Sequence, residues 1–245
     1  MTSILRALGL DVRRLFSQGM VKAVFFLIGM PAALCLVAAV SAGEGAGTPG
    51  GALVGGAVGG IVGVFVIMPG NIFVCEQQAG GGNMNGVIPV RRVGQVAGRY
   101  LVMAALALWV FAEAVVCFTA LSAMTAAGVR PPESLGAGLA AMFAYMVVES
   151  VMFPLLYRFP MQKAWIILYG GCLVIGAVSA ALIKLLPLIL PASALAACAR
   201  AASAVIETLA TAEPTGVAFV GVTVTAVAVG VSFVASSRIY RGKEF

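Results

Sequence analysis

The chain has 245 residues, 62% of them hydrophobic and only 10% charged, with no histidine and a net charge of +6. Soluble domains run to roughly 45–50% apolar and about 25% charged, so this composition excludes a water-soluble globular protein. The missing histidine removes imidazole triads, HExxH zinc sites and imidazole relays. No G-x-x-x-x-G-K-[ST] motif is present either, so the chain has no Walker loop with which to hold ATP.

The first residues predict an amphipathic helix over about 1–19. Ile4, Leu5, Leu8, Val12, Leu15 and Phe16 recur at helical spacing, with Arg6, Arg13 and Arg14 on the other side. Such a helix lies in the headgroup plane with its arginines toward anionic lipid. Apolar runs near the 18–20 residues needed to cross about 30 Å of hydrocarbon then recur. They predict six spans, at about Val21–Val40, Leu53–Val74, Leu101–Ala126, Gly136–Met152, Trp165–Leu186 and Val217–Ala235. The first is full length and follows a charged segment, which reads as a span and not a removable signal peptide. The fourth is the shortest.

At the start of the second span, Gly51, Gly55, Gly56, Gly59, Gly60 and Gly63 give small-xxx-small spacings. These permit close helix approach, either inside one protomer or between subunits. Met68-Pro69-Gly70 predicts a kink or break. The stretch Glu76–Tyr100 is the longest polar interruption and carries Arg91, Arg92 and Arg99. The segment 187–214 forms a long connection with an Ala-rich stretch of helical character, and Pro214 suits the first turn of the last span. Alternating strands of the outer-membrane barrel kind are absent from the sequence.

Basic residues set the orientation. Arg6, Arg13, Arg14 and Lys22 precede span one, and Arg91, Arg92 and Arg99 separate spans two and three. Arg158 and Lys163 separate spans four and five, while Arg238, Arg241 and Lys243 follow span six. Only Arg130, Lys184 and Arg200 fall on the other side. Both termini are therefore expected in the cytoplasm, and the net charge reflects this bias with no nucleic-acid role implied. The fold class that follows is an all-α integral membrane protein, one transmembrane domain over 1–245.

Charges inside spans cost several kcal/mol unless paired or hydrated. Glu113 falls roughly 18 Å into span three at 1.5 Å per residue, and Glu149 lies in span four. Each is either a station on a translocation path or a structural carboxyl between helices, with water able to reach Glu149. Lys184 is expected to snorkel to the outer interface. Cys35, Cys75, Cys117, Cys172 and Cys198 lack CxxC spacing, so neither a metal site nor an external disulfide framework is expected.

Three segments carry a family resemblance. Glu76, then Val87-Ile88-Pro89-Val90-Arg91-Arg92, then Gly98-Arg99-Tyr100 resembles the first cytoplasmic loop of ABC-2-type transporter permeases. The similarity is greatest to the small six-span branch paired with peptide or antibiotic exporters. Phe153-Pro154-Leu155-Leu156-Tyr157-Arg158-Phe159 is similar to that branch's segment closing span four, with Pro160 in place of its usual glycine. The tail Ser237-Arg238-Ile239-Tyr240-Arg241-Gly242-Lys243-Glu244-Phe245 is similar to its terminal pattern.

The resemblance implies a non-catalytic permease moving an amphipathic or hydrophobic substrate by alternating access. Peptides, antibiotics, lipids and drugs all fit. ATP and Mg would be bound by a separate ABC ATP-binding subunit and not by this chain. The loop 76–100 would couple to that ATPase through Glu76, Pro89, Arg91 and Arg92, with Arg158 and Lys163 as a second contact. The arginines' other role is topological, holding the loop inside. Arg99 and Tyr100 are expected as anchors at the membrane edge. The expected partners are the ATPase, a second permease copy or paralogue, and membrane lipid, in a bacterial plasma membrane. Two other readings remain open here. One is an ion- or proton-coupled secondary transporter or channel using Glu113, the other a non-transporting scaffold or immunity protein.

Overall fold

A computed structural model describes residues 2–16, 24–33, 36–37, 50–78, 92–124, 131–189, 197, 200 and 214–242. All regular structure among them is helical. Helix α1 is Thr2–Phe16, and a π-helical turn at Phe25–Gly29 follows within the stretch 24–33. Then come α2 (Gly50–Ile67), α3 (Gly70–Gln78), α4 (Arg92–Met124), α5 (Pro131–Arg158), α6 (Met161–Ile189) and α7 (Pro214–Arg241).

Five stretches among the described residues are long and apolar enough to cross a membrane: Gly59–Glu76, Arg92–Ala120, Ser134–Arg158, Met161–Leu182 and Ala218–Arg241. The expected first span is described only in part. Apart from Ala197 and Arg200, the Ala-rich segment expected within 187–214 lies outside the described residues, as do the loop residues 79–91 with Pro89 and Arg91.

Two local expectations are met. Helix α2 ends at Ile67 and α3 starts at Gly70, with Met68 and Pro69 in a turn between them. Pro69 has no N–H to continue the ladder, and Asn71 N–H bonds to the Met68 carbonyl at 3.0 Å to restart it. Helix α7 begins at Pro214, whose missing N–H is one the first turn leaves unpaired anyway.

The fourth span is longer than expected. Helix α5 runs 28 residues, through Pro154 to Arg158, so Phe153 and Tyr157 belong to the span and not to a loop after it. Pro154 is tolerated because neighbouring helices pack round this turn and hold it: Phe153, Leu156 and Tyr157 are all buried.

The core forms where α5 packs along both α4 and α7, with α2 against α4 and α5. Glycine makes two of these approaches possible. A side chain at Gly138 would meet Val115 and Phe111 of α4, the latter at 3.0 Å, and one at Gly221 would meet the Phe143 ring of α5. Gly59 and Gly63 face open space, so among the described residues they serve no packing within the protomer. Helix α6 touches the bundle only near its start. From Trp165 onward its described side chains are exposed or half-buried, leaving an apolar helix with little protein around it.

Candidate functional site

Helix α1 crosses the first turns of α4 at Gly98, where the distance from an added Cβ to the Ala7 Cβ is only 3.2 Å. The side of α1 that faces the protein is Ala7, Asp11 and Leu15, spaced one turn apart. Val12, expected on the apolar face, is exposed instead. Next to this crossing lies a buried charge cluster. Arg99 of α4 is 1% exposed and donates from Nη2 to the Glu76 carboxylate of α3. Arg14 of α1 donates to the same Glu76 oxygen at 2.8 Å and stands 3.5 Å from Asp11. Asp11 Oδ2 lies 3.9 Å from Arg99 Nε.

Two carboxylates and two guanidinium groups thus balance in charge, and they come from three separate helices. Aromatic rings enclose the Arg99 guanidinium, with Phe73 at 4.6 Å, Tyr157 at 5.1 Å and Tyr240 at 5.8 Å. Such cation–π contacts contribute about 0.5–2 kcal/mol each, more when water is excluded. Burial pushes the Asp11 carboxyl up to about 6, even though Arg99 and Arg14 favour its charged form.

The same end of the bundle is fastened to α7. Tyr240 donates its hydroxyl to Gln95 Oε1 at 2.6 Å, and Arg92 Nη1 donates to the Arg241 carbonyl at 2.8 Å. The Tyr100 hydroxyl lies 2.6 Å from Ser232 Oγ and 3.0 Å from Ser236 Oγ. Arg99 and Tyr100, expected at the membrane edge, are therefore turned into the protein. Arg99 finds a carboxylate partner and aromatic faces there, which a snorkelling side chain would forgo. Arg158 and Lys163 are exposed, with the Arg158 guanidinium 5.6 Å from the Phe159 ring centre.

The two intramembrane acids are placed differently. Glu149 is fully buried, and neither carboxylate oxygen nor the Tyr145 hydroxyl has a hydrogen-bond partner among the described residues. Access of water to Glu149, expected from its depth, is not what the packing gives. Glu113 lines an apolar pocket of about 450 Å³ between residues of the stretch 24–37 and α4. It accepts a hydrogen bond from Trp109 Nε1 at 3.0 Å. Cys117, on the same wall, is disulfide-bonded, whereas Cys75 and Cys172 form no disulfide. The side chain of Lys184 also lies outside the described residues.

Residues 15–241 match the family described as "ABC-2 family transporter protein". The chain belongs to that family. It is an ABC-2 permease, a multi-pass membrane transport component of a kind that works with an ABC ATP-binding subunit. No curated protein and no solved structure gives a significant match.

Sequence patterns single out Glu76, Arg92, Arg99 and Tyr100 of this permease, and the fold brings all four to one end of the bundle. They miss Asp11, Arg14, Gln95, Tyr157 and Tyr240 as parts of that site. One signal was available for Asp11, which stands one turn from both Ala7 and Leu15 on the side of α1 that docks. The residues of Glu113's pocket were equally hidden, because that wall comes from a different helix.

Proposed function

We propose that this chain is the membrane subunit of an ABC-2-type exporter. In this reading it has six spans, an interfacial helix α1 and cytoplasmic termini. A separate ATPase, holding ATP and Mg, grips residues 79–91 and the exposed Arg158 and Lys163. The cargo is amphipathic or hydrophobic, a class that includes peptides, antibiotics, lipids and drugs, and a second permease copy or a paralogue completes the pathway in a bacterial plasma membrane.

One observation supports this reading above the others. The segment 79–91 connects α3 to α4 in the chain, and the Glu76–Arg99 pair ties those two helices together. Force applied to the loop would therefore move α3 and α4 as one piece, instead of being lost in two independent helix ends. Arg14 and Asp11 include α1 in that piece, while Gln95–Tyr240 and Tyr100–Ser232 carry it to α7.

The test is capture of a Walker-containing ATPase by the full chain, followed by ATP-driven uptake in inside-out vesicles. Arg91→Glu combined with Arg92→Glu should abolish capture while membrane insertion stays normal. Transport by the isolated chain under an ion gradient would refute the exporter reading.

A further inference from the structure

The pocket beside Glu113 has a composition that selects its occupant. Ile28, Pro31 and Ala32 of the first span face Trp109, Glu113 and Val116 of α4 across it. Its volume of about 450 Å³ lies in the range of sites for drug-sized molecules, roughly 300–1,000 Å³. Glu113 is fourteen residues, roughly 21 Å, along α4 from the buried Arg99, well inside the apolar stretch of that helix.

A carboxylate at such depth needs a charge partner. Among the described residues no cation pairs with Glu113, and its one hydrogen bond comes from Trp109. That indole N–H is also 3.4 Å from the Leu27 carbonyl of the first span. The ring is thereby held between two elements and lines the same cavity as the carboxylate. A carboxylate and an indole ring lining one cavity suit an organic cation, by Coulomb attraction and by cation–π contact. Among the described residues, the remaining walls offer apolar surface to an apolar body and no side-chain donors for an anion, a polyol or a nucleotide.

We propose that this pocket binds amphipathic monocations, the cationic centre against Glu113 and Trp109 and the apolar body against the first span. The assignment rests on the exporter reading for its meaning as a cargo site, though not for the binding itself.

Tetraphenylphosphonium and tetraphenylborate, close in shape and opposite in charge, make the probes. Their binding to the purified full-length chain in detergent micelles is measured by equilibrium dialysis and by tryptophan fluorescence, with Trp109→Phe separating the Trp109 signal from that of Trp165. Glu113→Gln keeps the shape and the acceptor for Trp109 while removing the charge. It should weaken tetraphenylphosphonium binding at least tenfold and leave tetraphenylborate uptake unchanged. Ala112→Leu, which fills the pocket without altering its charge, should weaken phosphonium binding at least threefold and guards against a misfolded Glu113 variant. Equal binding of both ions to the wild-type chain, or phosphonium binding indifferent to both substitutions, overturns the proposal. ATPase capture by the wild-type chain is scored alongside. Its failure with phosphonium binding intact sinks the exporter reading and leaves the site standing, and the converse result does the reverse.

Discussion

Replacing Glu76 by Gln isolates the charge in the buried cluster. The amide keeps nearly the same shape and can still accept one hydrogen bond, but Arg99 loses the anion it donates to while only 1% exposed. Asp11 cannot substitute fully, since its nearer oxygen is 3.9 Å from Arg99 Nε. Removing one member of a buried pair costs about 3–5 kcal/mol, because the other charge is left without compensation. The Phe73, Tyr157 and Tyr240 rings remain and offset part of that. The expected loss is therefore about 3 kcal/mol. Arg99→Met should cost less, about 2 kcal/mol, because Arg14 still pairs with Glu76 at 2.8 Å. The double variant should show a coupling of about 1–2 kcal/mol, in the range for residues in direct contact. The assay is SDS-titrated unfolding in mixed micelles, followed by circular dichroism, for all four proteins. A coupling within about 0.5 kcal/mol of zero would mean that the two side chains do not meet, and the picture of α3 and α4 fastened together would fall.

Three further outcomes follow from the same end of the bundle. The Asp11 carboxyl has a folded pKa of about 6 against an ordinary 3.8, so the folded state holds this proton more tightly than the unfolded chain. Its contribution to stability is fully present below about 3.8 and is lost as pH rises through about 6, a change of roughly 3 kcal/mol. Asp11→Asn should therefore gain on the wild type between pH 4 and pH 7, and parallel pH profiles of the two would refute the assignment. Gly98→Val places a branched side chain against Ala7 and the Leu8 backbone N at 3.2–3.3 Å. It should cost about 1–3 kcal/mol as overpacking and make the α1 region more readily cleaved in limited proteolysis. Tyr100→Phe removes the hydroxyl shared by Ser232 and Ser236 and should cost about 1–2 kcal/mol, read by the same SDS titration.

How far the sequence reaches can be judged from neighbouring residues. Pro69 and Pro214 revealed their effects without any tertiary information, because a missing N–H acts on its own helix. Pro154 did not end α5, since the packing round Phe153 and Tyr157 outweighs one lost hydrogen bond. Arg99 stands just before an apolar run, at the membrane edge, where snorkelling is the usual outcome. Whether such a side chain reaches out to headgroups or folds inward depends on what other helices present to it. Here they present Glu76, Phe73, Tyr157 and Tyr240, which lie between 23 and 141 residues away in either direction along the chain.

Composition and hydropathy alone determined that this is a helical membrane protein, because hydrocarbon admits only helices or closed barrels and the apolar runs have helical length without a barrel's alternation. The basic bias and short motifs also pointed to the ABC-2 family, and both are local properties of the chain. Tertiary structure alone decided the partners of each charge. It turned Asp11 and Arg14 inward, joined the two ends of the loop through Glu76 and Arg99, and set Glu113 in a pocket completed by Ile28, Pro31, Ala32 and Leu36. The physical reason is one of range. A helix's own period fixes which residues share a face, but a buried charge is stabilised only by groups brought to it from elsewhere, and that meeting is a property of the packed bundle.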